Sequence, residues 1–172
     1  MYTASACVVP LPSDNVEQTI ESSAESNINT TWGKSLMEMP LFSIKEIEIH
    51  RQASGKGNAI IKTLDRGRKF KEERYLSADS LFTRFSGSNF DVKAKCKASM
   101  KKEFREVEVS LNRETGLLVS SKCSCPAGKS GYCNHVMALL FELADYSLNQ
   151  FKIVPEEIAC TSKSRQWGIP GE

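Results

Sequence analysis

The chain has 172 residues, of which 40% are hydrophobic, and this suffices for the core of one domain of ordinary size. No apolar stretch approaches the roughly 20 residues of a membrane-spanning helix, and the first residues lack the basic leader and apolar centre of a secretion signal. We therefore expect an intracellular protein, the nucleus being one candidate compartment. The net charge of +2 conceals a basic middle, because residues 56–105 carry fourteen Lys and Arg against six Asp and Glu.

Residues 1–40 are rich in Ser, Asn, Thr and Glu and contain few large apolar side chains. Such a segment buries too little apolar surface to offset the entropy that is lost on ordering. We therefore predict that it is a disordered, acidic and polar tail. Within it, Trp32 and the run Leu36–Met39 are the positions that could dock locally.

Residues 41–75 are predicted to form a helical, basic segment. Ser43 and Glu46 have the S-x-x-E spacing of a capping box, which predicts a short helix over residues 43–52. A second helix is predicted over residues 58–70. It would direct four apolar side chains inward: Ile60, Ile61, Leu64 and Phe70.

Alternation of polar and apolar residues predicts strands over residues 90–98 and 104–111. Residues 112–116 form a turn, and residues 117–120 return as the partner strand of a hairpin. A helix is predicted over residues 134–147, because Val136, Leu139, Leu140 and Leu143 recur at helical spacing. Two short helices, an antiparallel β-meander and a C-terminal helix make a small α+β domain. Residues 151–172 are left as a C-terminal extension.

Four aromatic residues lie in or beside the strand region, and we expect them in the core. Stacking on nucleic-acid bases is the alternative role for such rings. These residues are Tyr75, Phe82, Phe85 and Phe90.

The six cysteines are unevenly distributed, since three of them fall between residues 123 and 133. In a reducing compartment, clustered cysteines near a histidine indicate a metal site rather than disulfides. The scattered ones include Cys96 and Cys160, which are expected to be small buried apolar residues, with a role as spare ligands as the alternative.

The clustered residues form two pairs, Cys123-Ser-Cys125 and Cys133-Asn-His135, separated by seven residues. The first pair ends a predicted strand and the second begins a predicted helix, while a loop with one proline and two glycines can turn back between them. Three thiolates and one imidazole are a tetrahedral donor set for Zn²⁺ and leave no position for a substrate water. The pattern predicts a structural zinc ion; unpaired core cysteines and a satisfied histidine are the alternative.

The C-x-C…C-x-H pattern on a strand–loop–helix frame resembles the SWIM zinc-finger family. The residues that carry the resemblance run from Cys-Ser-Cys-Pro-Ala-Gly-Lys to Tyr-Cys-Asn-His-Val-Met-Ala-Leu-Leu. The resemblance implies a SWIM-type zinc-finger domain over residues 76–150, zinc binding, and a DNA- or protein-interaction role.

A narrower likeness extends into the flanks of this motif. Residues 99–102 and residues 159–167 are similar to animal proteins that carry a SWIM finger upstream of a YqaJ-type viral-recombinase nuclease domain. A nuclease of that type would need a Glu-x-Lys element to hold a divalent metal, and the chain contains none. Since the metal pattern claims Cys133 and His135, only His50 remains for Cys–His catalysis. We predict no enzymatic activity; the alternative is the non-catalytic N-terminal part of a truncated YqaJ-like DNA exonuclease or recombinase.

The basic middle of the chain is the candidate surface for nucleic acid, because phosphate contact depends on clustered Lys and Arg. Lysines 93, 95 and 97 alternate, which places them on one face of a strand. A solvated sheet face and a protein-binding surface are the alternatives. The candidate contact residues are Lys93, Lys95, Lys97, Lys101, Lys102, Arg66, Arg68 and Lys69.

Overall fold

Two helices precede a four-stranded sheet, and a third helix follows it, in a computed structural model that describes residues 31–55, 57–99 and 102–156. All strands are antiparallel to their neighbours and follow one another in chain order across the sheet. The predicted α+β class is confirmed. The elements are α1 (Ile44–Ala53), α2 (Asn58–Glu72), β1 (Leu76–Ser86), β2 (Asn89–Lys97), β3 (Phe104–Asn112), β4 (Leu118–Cys123), a 3₁₀ turn (Gly128–Ser130) and α3 (Asn134–Leu148).

The first helix begins where the sequence predicted it. The backbone N–H of Ser43 donates to the Glu46 carboxylate at 2.8 Å, and the Ser43 hydroxyl accepts from the backbone N–H of Lys45 at 3.1 Å. This reciprocal capping satisfies donors that the first turn of a helix leaves unpaired. The local pattern was therefore sufficient to set the start of α1.

Helix α2 packs against the rest of the domain through a narrow row of buried residues. Ile60, Gly67 and Phe70 are buried, whereas Ile61 is 46% exposed, so the prediction that Ile61 points inward is wrong. Residues 60, 64 and 67 share one helix face, and the neighbouring position 61 is turned towards solvent. A Cβ at Gly67 would lie only 2.4 Å from the Cβ of Met137, which shows how closely α2 and α3 approach.

Helix α3 lies between the sheet and α2. Nine of its fifteen residues are buried, including all four apolar residues that the sequence placed inward. The inner face of the sheet supplies the other side of this core through Phe90, Val92, Ala94, Val107, Val109 and Leu111. No helix in the described part of the chain is long and apolar enough to cross a membrane.

Strand β1 was not predicted. Its pairing with β2 is irregular between Ser77 and Phe82, and the irregularity breaks the period-two alternation on which strand prediction depends. The register places Phe82 opposite Lys93 on the outer face of the sheet, where it is only partly buried. The expectation that Phe82 belongs to the core is therefore wrong, while Phe90 is fully buried and Tyr75 and Phe85 pack against the core from its edge.

Residues 31–40, predicted as part of a disordered tail, pack on the domain instead. Gly33 and Thr83 exchange two backbone hydrogen bonds of 2.8 Å, and Ser35 forms a β-bridge with Ile153. Leu36 and Val154 are each only 3% exposed. The composition of the whole segment concealed the few apolar residues that supply this burial. The remainder of the predicted tail, and the extension beyond residue 156, lie outside the described residues.

Candidate metal centre

The four predicted ligand residues come together at the junction of β4 and α3. Cys123 is the last residue of β4, Cys125 lies in the turn after it, Cys133 is the N-cap of α3 and His135 lies in the first turn of that helix. One ligand atom from each residue can be chosen so that all four lie within 4.8 Å of one another. Cys125 and Cys133 are buried, and the other two are half-buried. The site thus brings together residues that lie up to twelve positions apart in the chain.

Hydrogen bonds to β3 fix the first pair of cysteines. Ser124 stands between them, and its backbone N–H donates to the Glu106 carbonyl at 3.0 Å. Its hydroxyl accepts from the backbone N–H of Glu106, also at 3.0 Å. The strand pairing therefore continues past Cys123 and sets the direction of the turn that carries Cys125.

The loop between the two pairs closes against β4 with almost no free space. The backbone N–H of Gly128 donates to the Cys125 carbonyl at 2.8 Å, and a Cβ at position 128 would lie 1.9 Å from the Cys123 carbonyl oxygen. Gly131 has a φ of +71°, and its carbonyl accepts a hydrogen bond of 3.0 Å from the Ser121 hydroxyl. Glycine is required at both positions, at the first by contact and at the second also by backbone conformation.

Helices α1 and α2 support the site from outside. The His50 ring stacks on Tyr132 with a centroid separation of 4.3 Å, and its Nε2 lies 3.4 Å from the Gly131 carbonyl oxygen. Burial lowers the pKa of His50, which favours the neutral imidazole. On the other side, Phe70 of α2 meets the His135 ring in an edge contact at 5.5 Å. These contacts were not foreseen from the sequence, because they join residues that are distant in the chain.

The pKa values of the three cysteine thiols are shifted in different directions. A hydrogen bond from the Cys123 thiol lowers the pKa of Cys133 to about 4, and further hydrogen bonds from His135 and from the backbone N–H of Val136 act in the same direction. The hydrogen bond with Cys133, together with burial, raises the pKa of Cys123, and burial followed by the charge of Cys133 raises that of Cys125. These shifts favour the thiolate form of Cys133 and the thiol form of Cys123 and Cys125.

An unpartnered imidazole nitrogen tests whether a metal fits. Nδ1 of His135 is buried and has no hydrogen-bond partner among the described residues. A buried polar atom without a partner costs about 1–3 kcal/mol, so natural proteins rarely retain one without compensation. The cluster offers a cation one imidazole nitrogen of His135 and three sulfur atoms, and three sulfurs with one nitrogen are a donor set of structural zinc sites. The cluster is compatible with Zn²⁺.

Comparison with known families agrees with this geometry. The SWIM zinc finger family matches residues 106–144. The matched stretch contains nearly all of β3, the whole of β4, all four cluster residues and most of α3. The SWIM zinc finger is a binding module and not a catalytic family, and the match and the cluster together support zinc binding. No curated protein and no solved structure matches the chain.

The other cysteines do not join the cluster where the structure describes them. Cys96 is fully buried in β2, and burial raises its pKa to about 12. This confirms the expectation of a small buried apolar residue at that position. Cys160 lies outside the described residues.

The structure divides the predicted nucleic-acid contacts between two surfaces. Lys93, Lys95 and Lys97 line the outer face of the sheet, as their alternation predicted. Arg66, Arg68 and Lys69 are exposed on α2, on the far side of α3 from the sheet. Lys102 is exposed before β3, and Lys101 lies outside the described residues. No single flat surface contains both groups.

Proposed function

We propose that the chain is a non-catalytic interaction module in which Cys123, Cys125, Cys133 and His135 hold one structural zinc ion. The observation that carries this proposal is the approach of four soft or borderline donor atoms to within 4.8 Å of one another. A bound zinc ion would connect the end of the hairpin to the start of α3, and small domains of this kind draw much of their folding free energy from such an ion. Four protein ligands complete a tetrahedron, which argues for a structural role.

Replacing one ligand tests the zinc site. The Cys123→Ser variant of the full chain should lose the stoichiometric zinc of the wild type and unfold at a lower temperature. Cys96→Ala is the matched control, because it removes a buried thiol outside the cluster and should retain zinc. Elemental analysis and a thermal melt measure both quantities. If Cys123→Ser keeps one zinc per chain and an unchanged melt, the ligand assignment is wrong.

We further propose that the partner of this module is nucleic acid, with DNA as the leading candidate. The balance of +8 over residues 56–105 supports this, because phosphate contact depends on clustered cations. Fluorescence anisotropy with labelled DNA at about 50 mM and about 200 mM salt provides the test, and at least about a tenfold loss of affinity is expected at the higher concentration. Absence of binding at low salt would favour a protein partner instead.

Two further predictions belong with this proposal. The YqaJ-type connection rests on residues 99–102 and 159–167, most of which lie outside the described residues. It therefore remains a prediction that the chain is the non-catalytic part of a truncated exonuclease. If the partner is chromosomal DNA, the protein is expected inside the cell and in the nucleus. This location also remains a prediction.

A further inference from the structure

The outer face of the sheet combines aromatic rings with cations. We call it the open face and define it by Phe82, Arg84, Lys93, Lys95, Glu106, Glu108 and Lys122, which are exposed or half-buried. The Trp32 ring lies over this face, with the Arg84 guanidinium carbon 4.5 Å and the Lys93 Nζ 4.2 Å from its centroid. Lys34 Nζ lies 4.6 Å from the centroid of the Phe82 ring. Two aromatic rings therefore stand among cations on one side of the domain.

Two adjoining grooves cross the open face. The larger, of about 600 Å³, is lined by Phe82 and Lys95 among others, and the smaller, of about 370 Å³, by Trp32 and Lys122 among others. Lys93 and Glu108 line both, so the grooves meet in the middle of the sheet. Each groove contains one aromatic ring, at least two cations and at least one carboxylate, and together they extend from β1 to β4.

The register decides which form of nucleic acid suits this surface. Lys93 stands directly opposite Glu108, and Lys95 stands directly opposite Glu106. Because each of these lysines has a carboxylate beside it, the face attracts the closely spaced phosphates of a duplex only weakly. A carboxylate can, however, accept hydrogen bonds from base amino groups such as cytosine N4. The Watson–Crick edges of bases are free, and their faces are open for stacking, only in a single strand.

We propose that the open face binds single-stranded nucleic acid, with bases stacked on Trp32 and Phe82. This inference rests on the nucleic-acid partner proposed above. In the free protein, Lys34, Arg84 and Lys93 lie over the rings. An incoming base takes a ring face, and Lys93, whose Nζ lies over the Trp32 ring, is then placed to contact the adjoining phosphate, as in aromatic platforms that bind single strands. Lys34 and Arg84 keep their bonds to the Ala78 and Asp79 carbonyls and to the Asp91 carboxylate. The basic residues of α2 have no part in this surface.

The test uses the full, zinc-loaded chain and a labelled DNA strand of about 12 nucleotides, within the range of known single-strand sites. The same sequence as a duplex is measured in parallel. Trp32→Leu and Phe82→Leu retain an apolar side chain and remove the ring, so the packing contribution is largely preserved. Each should weaken single-strand binding by roughly 5- to 150-fold, the equivalent of one lost stacking contact. Arg66→Ala removes one of the candidate contacts on α2 and tests that competing surface, so it should leave the affinity unchanged if the strand binds the open face. A thermal melt of each variant verifies its fold.

The outcomes separate this inference from the proposed function. Tighter binding of the strand than of the duplex, weakened by both ring variants and not by Arg66→Ala, supports the open face. If the duplex binds more tightly, or if only Arg66→Ala weakens binding, the inference is overturned while a nucleic-acid partner stands. If neither strand nor duplex binds at low salt, the nucleic-acid partner and the inference both fail, and the zinc site is judged by elemental analysis alone.

Discussion

Replacing Gly128 with alanine should weaken zinc binding although every ligand residue is retained. The added Cβ would lie 1.9 Å from the Cys123 carbonyl oxygen, 2.6 Å from its carbonyl carbon and 2.8 Å from its Cβ. These atoms belong to the backbone or are fixed to it, so no side-chain rotation relieves the overlap. Reaching ordinary contact at 3.4 Å requires the loop to retreat from β4 by about 1.5 Å.

Such a retreat is several times larger than the tolerance of about 0.2 Å on metal–ligand distances. Because the first ligand pair is carried on β4 and the second follows the loop, the displacement separates the two pairs. We expect zinc affinity to fall at least about 100-fold, which corresponds to about 2.7 kcal/mol. Titration of the protein against a chromogenic zinc chelator measures this directly.

The control is Gly33→Ala, because a Cβ at that position meets nothing within 4 Å. It should bind zinc like the wild type. Gly128→Ala should also melt at a lower temperature than the zinc-loaded wild-type protein. Equal zinc dissociation constants for Gly128→Ala, Gly33→Ala and the wild type would refute the described contact between the loop and β4.

Two further expectations concern protons and helix packing. Zinc binding near neutral pH should release about two protons per ion, because the pKa values of Cys123 and Cys125 are raised whereas Cys133, with a pKa of about 4, is already ionised. Affinity therefore rises with pH; calorimetry in buffers of different ionisation enthalpy counts the protons, and a release of none would contradict the assignment. Gly67→Ala should destabilise the zinc-loaded protein by about 1–3 kcal/mol in urea, since its Cβ would lie 2.4 Å from that of Met137. A stabilised variant, as in an exposed helix, would contradict the described approach of α2 to α3.

Short-range patterns carried the parts of the fold that the sequence predicted well. The capping box set the start of α1, because its hydrogen bonds join residues only two or three apart. The alternation over β2 and β3 gave both strands with the correct inner faces. The two C-x-C and C-x-H pairs identified the candidate metal centre in the same way, since each pair spans only three residues.

Features that depend on strand register or on contacts between distant residues could not be predicted from short-range sequence patterns. The irregular pairing of β1 concealed a strand and moved Phe82 to the open face. The docking of residues 33–36 between β1 and residue 153 brings Trp32 over the sheet, although its neighbours in the sequence are polar. The excess of Lys and Arg over residues 56–105 was counted correctly. The count could not show that some of these cations lie on the outer face of the sheet and others on α2.

The sequence by itself determined which four residues form the candidate metal centre, the α+β class and the positions of α1, α3, β2 and β3, because these are set by residues within one turn or one hairpin of each other. Only the tertiary structure decided that each central lysine of the sheet faces a glutamate and that Gly128 abuts the strand carrying Cys123. Those relations arise from strand register and loop closure, in which energies are shared among residues far apart in the chain.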